Sequence, residues 1–368
     1  MKKIAIIGMG KMGSKYAKMI LENKELGYML VATTRIREKN ALKLKDYLND
    51  FKIYDSDIKL FEAYDKKEFE CDTVLVATPH YAHKFSVIEA FKRNLDVLCE
   101  KPAGVYLKDG REMLSYKNDN KYGFIFHQRR YPINVFLKNI IETKKYGKIK
   151  RINYIVTDWF RTEAYYKSDY WRSTYKTDGG GTLLNQCPHS LDLMCYLFGM
   201  PKMVRAFCNE GKYHKIEVED EATAYLEWKD GITGVFIAST GEIPGINRME
   251  ISTDRALIRV YSDNIEIISN SHDDKYYLSL PDEGFKQDNI IERFEFNKND
   301  AYYEVLREFN NGVSVASGED SLMSLYLSNA MYLSSWKEKT INFYEINSLE
   351  EFNFEKEFEE EMKKHIKE

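Results

Sequence analysis

No two cysteines of this chain stand at CxxC spacing. The five present, Cys71, Cys99, Cys187, Cys195 and Cys208, are odd in number and scattered. That argues against a disulfide framework or a zinc ribbon and for reduced thiols in a cytoplasmic protein. Long apolar runs are also missing. No stretch approaches the ~20 residues of a membrane-spanning helix. The opening KKIAIIG meets a glycine before it reaches the apolar length of a secretion signal. Neither sign of charge dominates. With 54 basic and 58 acidic residues the net charge is −4, so the electrostatic footprint of a nucleic-acid binder is absent, as is a surface suited to anionic lipid. The seven histidines form no ligand-spaced cluster, and no metal site is expected. Internal repeats and low-complexity linkers are absent too.

What is present suits a globular enzyme. The 368 residues, 43% hydrophobic and 30% charged, allow two or three domains with a sizeable core. The 27 tyrosines suit clefts for polyhydroxylated ligands; an AT-rich coding sequence accounts for them equally well. Strand-like and helix-like runs alternate from the start. KIAIIG, YMLVATT, CDTVLVATP, LDVLCEKP and YGFIFH read as buried strands. SKYAKMILENK, HKFSVIEAFKRN and LKDGREMLSYKN read as helices between them. This order predicts right-handed crossovers and a doubly wound parallel sheet, a Rossmann domain over residues 1–123.

The pattern then changes. KIKRINYIVTDWF (148–160) is too long and too alternating for a buried parallel strand. After a helix expected at 182–198 come the strand-like runs KMVRAFCN, EATAYLEW, ITGVFIAST, NRMEIST and ALIRVYS, with Asp230-Gly231 as a hairpin signal. Residues 124–345 are therefore expected to form an α+β domain with a mostly antiparallel sheet. A helical return is placed at 300–338, and 346–368 reads as a charged helical tail. Apolar residues occupy both phases of ITGVFIAST, which predicts that both sheet faces are covered and a homodimer or homotetramer forms.

Gly8-Met9-Gly10-Lys11-Met12-Gly13 follows the first strand and opens the first helix. In that context glycines let backbone approach a pyrophosphate at a helix N-terminus. Gly8, Gly10, Lys11, Met12 and Gly13 are therefore candidate cofactor contacts. An acidic residue at the end of the second strand would bind the ribose 2′-OH of NAD. Arg35 stands there instead, 22 residues after Gly13, with Arg37 close by and Thr34 before it. A guanidinium suits a 2′-phosphate, so NADP is preferred over NAD. ATPHYAH (77–83) and CEKPAG (99–104) end the next two strands, at the sheet edge where open α/β sheets bind ligands. Thr78, Pro79, His80, His83, Glu100 and Lys101 join the candidate cofactor contacts. Gln128 and Arg129 follow the last strand, as cofactor and substrate contact respectively. In DWFRTEAYYKSDYWRSTYKTDGGG (158–181), Tyr165, Tyr166, Trp171 and Arg172 are candidates for a substrate wall.

GMGKMG, ATPHYAH and EKP in this order, followed by GGGTLLNQCPHSLDL (179–193), resemble the Gfo/Idh/MocA oxidoreductases, the relatives of glucose-fructose oxidoreductase and inositol dehydrogenase. YGKIKRI (146–152) and LYLSNAMYLSSWKEKTINF (325–343) extend the resemblance to about residue 345. It implies a Rossmann domain plus a C-terminal domain built on a large open sheet whose face forms oligomers, acting on sugars, cyclitols and their derivatives. The EKP lysine falls on Lys101 and the active-site histidine on His189. The position four before it, often Asp in that family, is Asn185 here. The implied reaction is hydride transfer between a hydroxyl-bearing carbon and nicotinamide, with Lys101 and His189 on the hydroxyl and Asn185 orienting it. Same-fold alternatives are a lyase or glycosidase that uses bound NAD transiently, a non-catalytic cofactor-binding regulator, and a reductase of a non-sugar.

Overall fold

Five buried apolar runs and one short edge strand pair in parallel to form the first sheet. They are β1 (Lys2–Ile7), β2 (Tyr28–Thr34), β3 (Lys52–Tyr54), β4 (Thr73–Val76), β5 (Asp96–Cys99) and β6 (Tyr122–Phe124). Their order is β3-β2-β1-β4-β5-β6, the reversal at β1 being the switch point of a doubly wound sheet. The computed structural model describes residues 1–168, 172–281, 283, 286 and 288–366. Strand β3 and the helix Asp57–Asp65 after it have no counterpart in the sequence reading. β3 is three residues of largely exposed edge, too short and too wet to show a period.

The chain divides into two units, Met1–Arg130 with Asp300–Tyr326, and Tyr131–Asn299 with Leu327–Glu368. A cut at residue 123 misses the returning segment. Its helix Ala301–Asn310 sends Val305, Leu306 and Phe309 into the same core as Ile4, Ile6, Tyr16, Leu75 and Leu98. Backbone pairing supports this, since Phe124 N–H donates to the Ala316 carbonyl at 2.9 Å. An amphipathic helix joins the layer that covers its apolar face, whatever its place in the chain.

The second unit is built on nine strands: β7 (Ile149–Val156), β8 (Met203–Glu210), β9 (Glu219–Glu227), β10 (Thr233–Ser239), β11 (Asn247–Thr253), β12 (Ala256–Tyr261), β13 (Asn264–Ser269), β14 (Ile290–Glu295) and β15 (Ile341–Asn342). Their order is β14-β13-β12-β11-β7-β10-β9-β8-β15. All neighbours are antiparallel except β7 and β10. Gly234, Phe236 and Ala238 of β10 are buried on one face. On the other face Thr233, Val235 and Ile237 stay half-buried in the single chain, so its own helices cover one side only.

Candidate active site

In the first unit the glycines have separate reasons. Gly8 sits at φ +93°, and a Cβ there would lie 2.5 Å from the Ala77 carbonyl carbon. A Cβ on Gly13 would lie 2.1 Å from the Gly8 oxygen, so this glycine lets helix and loop touch. Gly10 is exposed, and a Cβ there would meet nothing within 4 Å. No protein packing demands Gly10, and its backbone is open to close approach from outside. The helix Lys11–Glu22 that begins here has no side-chain cap, so its first N–H groups and the positive end of its dipole are left to an anion. These features fit a dinucleotide pyrophosphate. The loop is braced from below. Thr34 Oγ1 accepts from Gly8 N–H at 2.9 Å. Asn40 Nδ2 and Ser14 Oγ donate to the Met9 carbonyl at 3.1 and 3.3 Å. Thr34 is thus buried and committed to the loop, while Arg35 and Arg37 lie exposed past the end of β2.

The loops after β4 and β5 are tied together by His83. Its Nδ1 faces the Pro102 carbonyl at 3.0 Å and its Nε2 the Thr78 carbonyl at 2.8 Å. The ring is fully buried, and burial pulls its pKa down to about 4. With both nitrogens spent on backbone, His83 is a strut between loops rather than a cofactor contact. Thr78 is half-buried, Pro79 exposed and His80 buried. Glu100 also points inward. Burial raises its carboxyl pKa, and it accepts from the Tyr16 hydroxyl and from Lys101 N–H (3.2 Å). It anchors the backbone of half-buried Lys101 and offers no face to a ligand. Gln128 is half-buried. Arg129, expected at a substrate, is 3% exposed, its Nη1 donating to the Val315 carbonyl at 3.2 Å and to Asp320 at 3.1 Å. Its role is to bind the returning segment. Beside it His127 stacks on Tyr302 at 3.9 Å, and burial, then the charges of Lys15 and Lys101, pull its pKa down to about 3.

In the second unit the glycine run is explained by what it touches. Gly179 has φ +86°. A Cβ on Gly180 would lie 2.2 Å from the Tyr332 hydroxyl, and one on Gly181 1.9 Å from the Glu219 carbonyl oxygen. Side chain and backbone of residue 219 both hold this segment. The Glu219 carboxylate is wholly buried and accepts from Gly181 N–H (2.9 Å), Leu183 N–H (2.7 Å) and the Tyr332 hydroxyl (2.7 Å). By accepting from the two N–H groups the carboxylate caps the turn that follows. Burial outweighs them and raises the pKa to about 7.

The continuous helix expected at 182–198 is not formed. Thr182–Gln186 is a π-turn, Cys187 N–H donating to the Thr182 carbonyl at 2.8 Å; the α-helix starts only at Pro188 and runs to Phe198. One residue is gained in the turn, so the four-residue spacing of Asn185 and His189 does not put them on one α-helical face. Such π-turns cluster at functional sites because they re-aim side chains. His189 is 6% exposed in the first turn of the helix.

Asn185 is half-buried and has an unanticipated partner. Its Nδ2 lies 2.8 Å from both oxygens of Asp178, a carboxylate that is 2% exposed. The amide is thereby oriented, its Oδ1 accepting from Gln186 Nε2 at 3.2 Å. A carboxylate therefore adjoins position 185, supplied seven residues earlier. Gln186 continues the chain of bonds: its Oε1 accepts from Arg161 Nε (3.1 Å) and Nη2 (2.7 Å), and its Nε2 donates to the Tyr165 hydroxyl (2.9 Å). Arg172 Nη1 donates to the same hydroxyl at 2.6 Å. Tyr166 is 6% exposed with its hydroxyl 2.8 Å from Thr240 Oγ1, a core position rather than a wall. Trp171 lies outside the described residues. Asp178, Gln186, Glu219 and Arg161 were not singled out from the sequence. Asp178, directly before the glycines, was the one with a local signal. Among the described residues no His, Cys, Asp and Glu group is arranged for a metal.

A family model described as an oxidoreductase family with an NAD-binding Rossmann fold matches residues 2–124, and one described as a GFO/IDH/MocA C-terminal domain matches 135–259. Myo-inositol 2-dehydrogenase of Thermotoga maritima is 25% identical over 94% of this chain and 99% of its own. Glucose-6-phosphate 3-dehydrogenase of Bacillus subtilis is 28% identical over 66% of this chain and 69% of its own. The structure of the WlbA dehydrogenase from Bordetella pertussis with NADH and UDP-GlcNAcA superposes with a TM-score of 0.75 at 21% identity, covering 94% of this chain and 99% of that one. Levoglucosan dehydrogenase with NADH and levoglucosan gives 0.73 at 18% identity, covering 94% and 100%.

Proposed function

The chain belongs to the Gfo/Idh/MocA family of NAD-binding oxidoreductases, and from that premise we propose that it moves a hydride between a nicotinamide cofactor and a hydroxyl-bearing carbon of a sugar, cyclitol or sugar derivative. The observation that carries the cofactor half is the open approach at Gly10 to an uncapped helix N-terminus. The Gly8–Gly13 backbone would hold the pyrophosphate, and Arg35 the ribose end. A bound nicotinamide supplies the hydride acceptor or donor; the protein supplies position and proton transfer.

His189 takes the hydroxyl proton on its imidazole during oxidation and returns it during reduction, the imidazole being able to accept and to donate a proton. Lys101 polarises the hydroxyl oxygen with its ammonium group. Asn185 cannot exchange a proton. With Nδ2 spent on Asp178 it offers Oδ1, so a substrate hydroxyl donates to it. Replacing His189 with Ala lowers turnover by roughly 10²–10⁴ and leaves cofactor affinity unchanged. The test is a panel of sugars and polyols with NAD⁺ and NADP⁺, followed at the reduced-nicotinamide absorbance band. Wild-type turnover by His189→Ala would remove the acid–base assignment. A tightly held cofactor with no net nicotinamide turnover would point instead to transient oxidation inside a lyase.

Three finer readings go with this one. NADP is preferred over NAD, because exposed Arg35 and Arg37 follow β2 where a carboxylate would otherwise meet the ribose. The setting is cytoplasmic, a reading that the five free thiols support; no helix among the described residues is long and apolar enough to cross a membrane. The chain forms a homodimer or homotetramer through the open sheet face. There Phe207, Thr223, Ile237, Ile155, Arg248 and Tyr261 align across five successive strand pairings. Phe207 is 55% and Tyr261 42% exposed in the single chain, so the four apolar members of this row, Phe207, Ile237, Ile155 and Tyr261, are surface left for a partner copy.

A further inference from the structure

We propose that Arg161 makes this site select an anionic sugar, one carrying a carboxylate or a phosphate, an inference that rests on the sugar-oxidoreductase reading for its hydroxyl chemistry. The Arg161 guanidinium lies 4.5 Å from the Tyr165 ring centroid and 5.4 Å from that of Trp159. Arg172 brings a second guanidinium to 4.5 Å from the same Tyr165 ring. Two cations thus share one aromatic ring; Arg161 is wired to a neutral group, Gln186 Oε1, and Arg172 Nη1 donates to the Tyr165 hydroxyl.

Among the described residues no carboxylate lies within 4.0 Å of Arg161. The acid nearest in sequence, Glu163, accepts from Lys215 N–H at 2.9 Å and faces Lys167 at 4.0 Å. Asp178 lies at the other end of the hydrogen-bonded chain, beyond Gln186 and Asn185, and both its oxygens meet the Asn185 amide. Gln186 takes only two of the five guanidinium N–H groups of Arg161. Removing a guanidinium partly from water without a counter-ion is costly. Ring stacking offsets part of this. An anion of the substrate supplies the rest, in the planar geometry for which arginine is suited. The anion would sit next to the Asn185 amide that receives a hydroxyl, so charge and hydroxyl belong to one small molecule.

The experiment is calorimetric titration of the full chain with D-glucuronate, D-glucose 6-phosphate and D-glucose, for wild type, Arg161→Met and Arg161→Lys. We expect at least one anion to bind the wild type about ten- to a hundredfold tighter than glucose. Arg161→Met should reduce that anion to the level of glucose, and Arg161→Lys should keep part of the preference. The better anion tells carboxylate from phosphate. Glucose binding as tightly as both anions, or neither anion binding, overturns the proposal, as does an unchanged preference in Arg161→Met. The two readings fail separately. An anion bound tightly through Arg161 but never oxidised with NAD⁺ or NADP⁺ removes the oxidoreductase reading alone. A neutral polyol oxidised while both anions are ignored removes the anionic class alone.

Discussion

Replacing Glu219 with Gln tests whether burial or hydrogen bonding governs the carboxylate that caps the π-turn ahead of the His189 helix. Three donors at 2.7–2.9 Å favour its ionised form, and complete burial opposes it. Burial wins, with the pKa raised from 4.5 to about 7. The sign follows from linkage. Between those two values the folded state holds a proton that the unfolded state has released. Stability from this group is fully present below pH 4.5 and is lost as pH rises through about 7. The loss between pH 5 and 8 comes to about 2–3 kcal/mol. Glutamine does not titrate, so Glu219→Gln should gain that amount relative to wild type across the same interval. At pH 5 the two should be close, since a protonated carboxyl and an amide are both neutral and each presents one carbonyl oxygen and one donating group.

The comparison must be a difference at each pH, because His83 and His127 act in the opposite sense. Their pKa values are pulled down to about 4 and about 3, so their contribution is present above 6.5 and lost as pH falls through those values. Subtracting the variant from the wild type removes both. All four tryptophans, Trp159, Trp171, Trp228 and Trp336, belong to the second unit, so urea unfolding read by their fluorescence follows the unit that holds Glu219. A gap independent of pH would refute the reasoning. A gap that widens in favour of wild type at high pH would show that the three donors win.

Gly181→Ala places a methyl group 1.9 Å from the Glu219 carbonyl oxygen; the same fluorescence assay should show a loss of at least 1–3 kcal/mol, of the order of an overpacking penalty, whereas Gly10→Ala, with nothing within 4 Å, should leave stability nearly unchanged and weaken cofactor binding. Arg35→Asp should weaken NADP(H) about ten- to a hundredfold in direct titration and spare NAD(H); tighter wild-type binding of NAD(H) than NADP(H) would contradict the preference. Light scattering at micromolar concentration should show a dimer or tetramer, and Phe207→Glu on the open sheet face should shift it toward monomer; a monomeric wild type would count against the interface.

Local chemistry made the first unit legible. Each of its strands except β3 is an apolar run, and the strand–glycine loop–helix order of residues 2–22 needs only neighbours in sequence to be read. The same holds for the position of Lys101 after β5 and for the change to alternating strands after residue 148. Other features depended on contacts between distant residues. The segment 182–198 has the composition of one helix, and it is Glu219, about 40 residues away, that grips Gly181 and Leu183 at the entry to the π-turn. Arg129 and Glu100 carry the charge of site residues, yet Asp320 and Tyr16 turn them inward. Asp178 and Arg161 were inconspicuous in sequence because their meaning lies in their partners, Asn185 and Gln186. Strand β14 pairs with β13 and shows largely exposed residues, so no buried stripe announced it. Periodicity reports burial along one element. Which side chain meets which is decided when the elements pack, and a polar group's role is set by the partner it finds there.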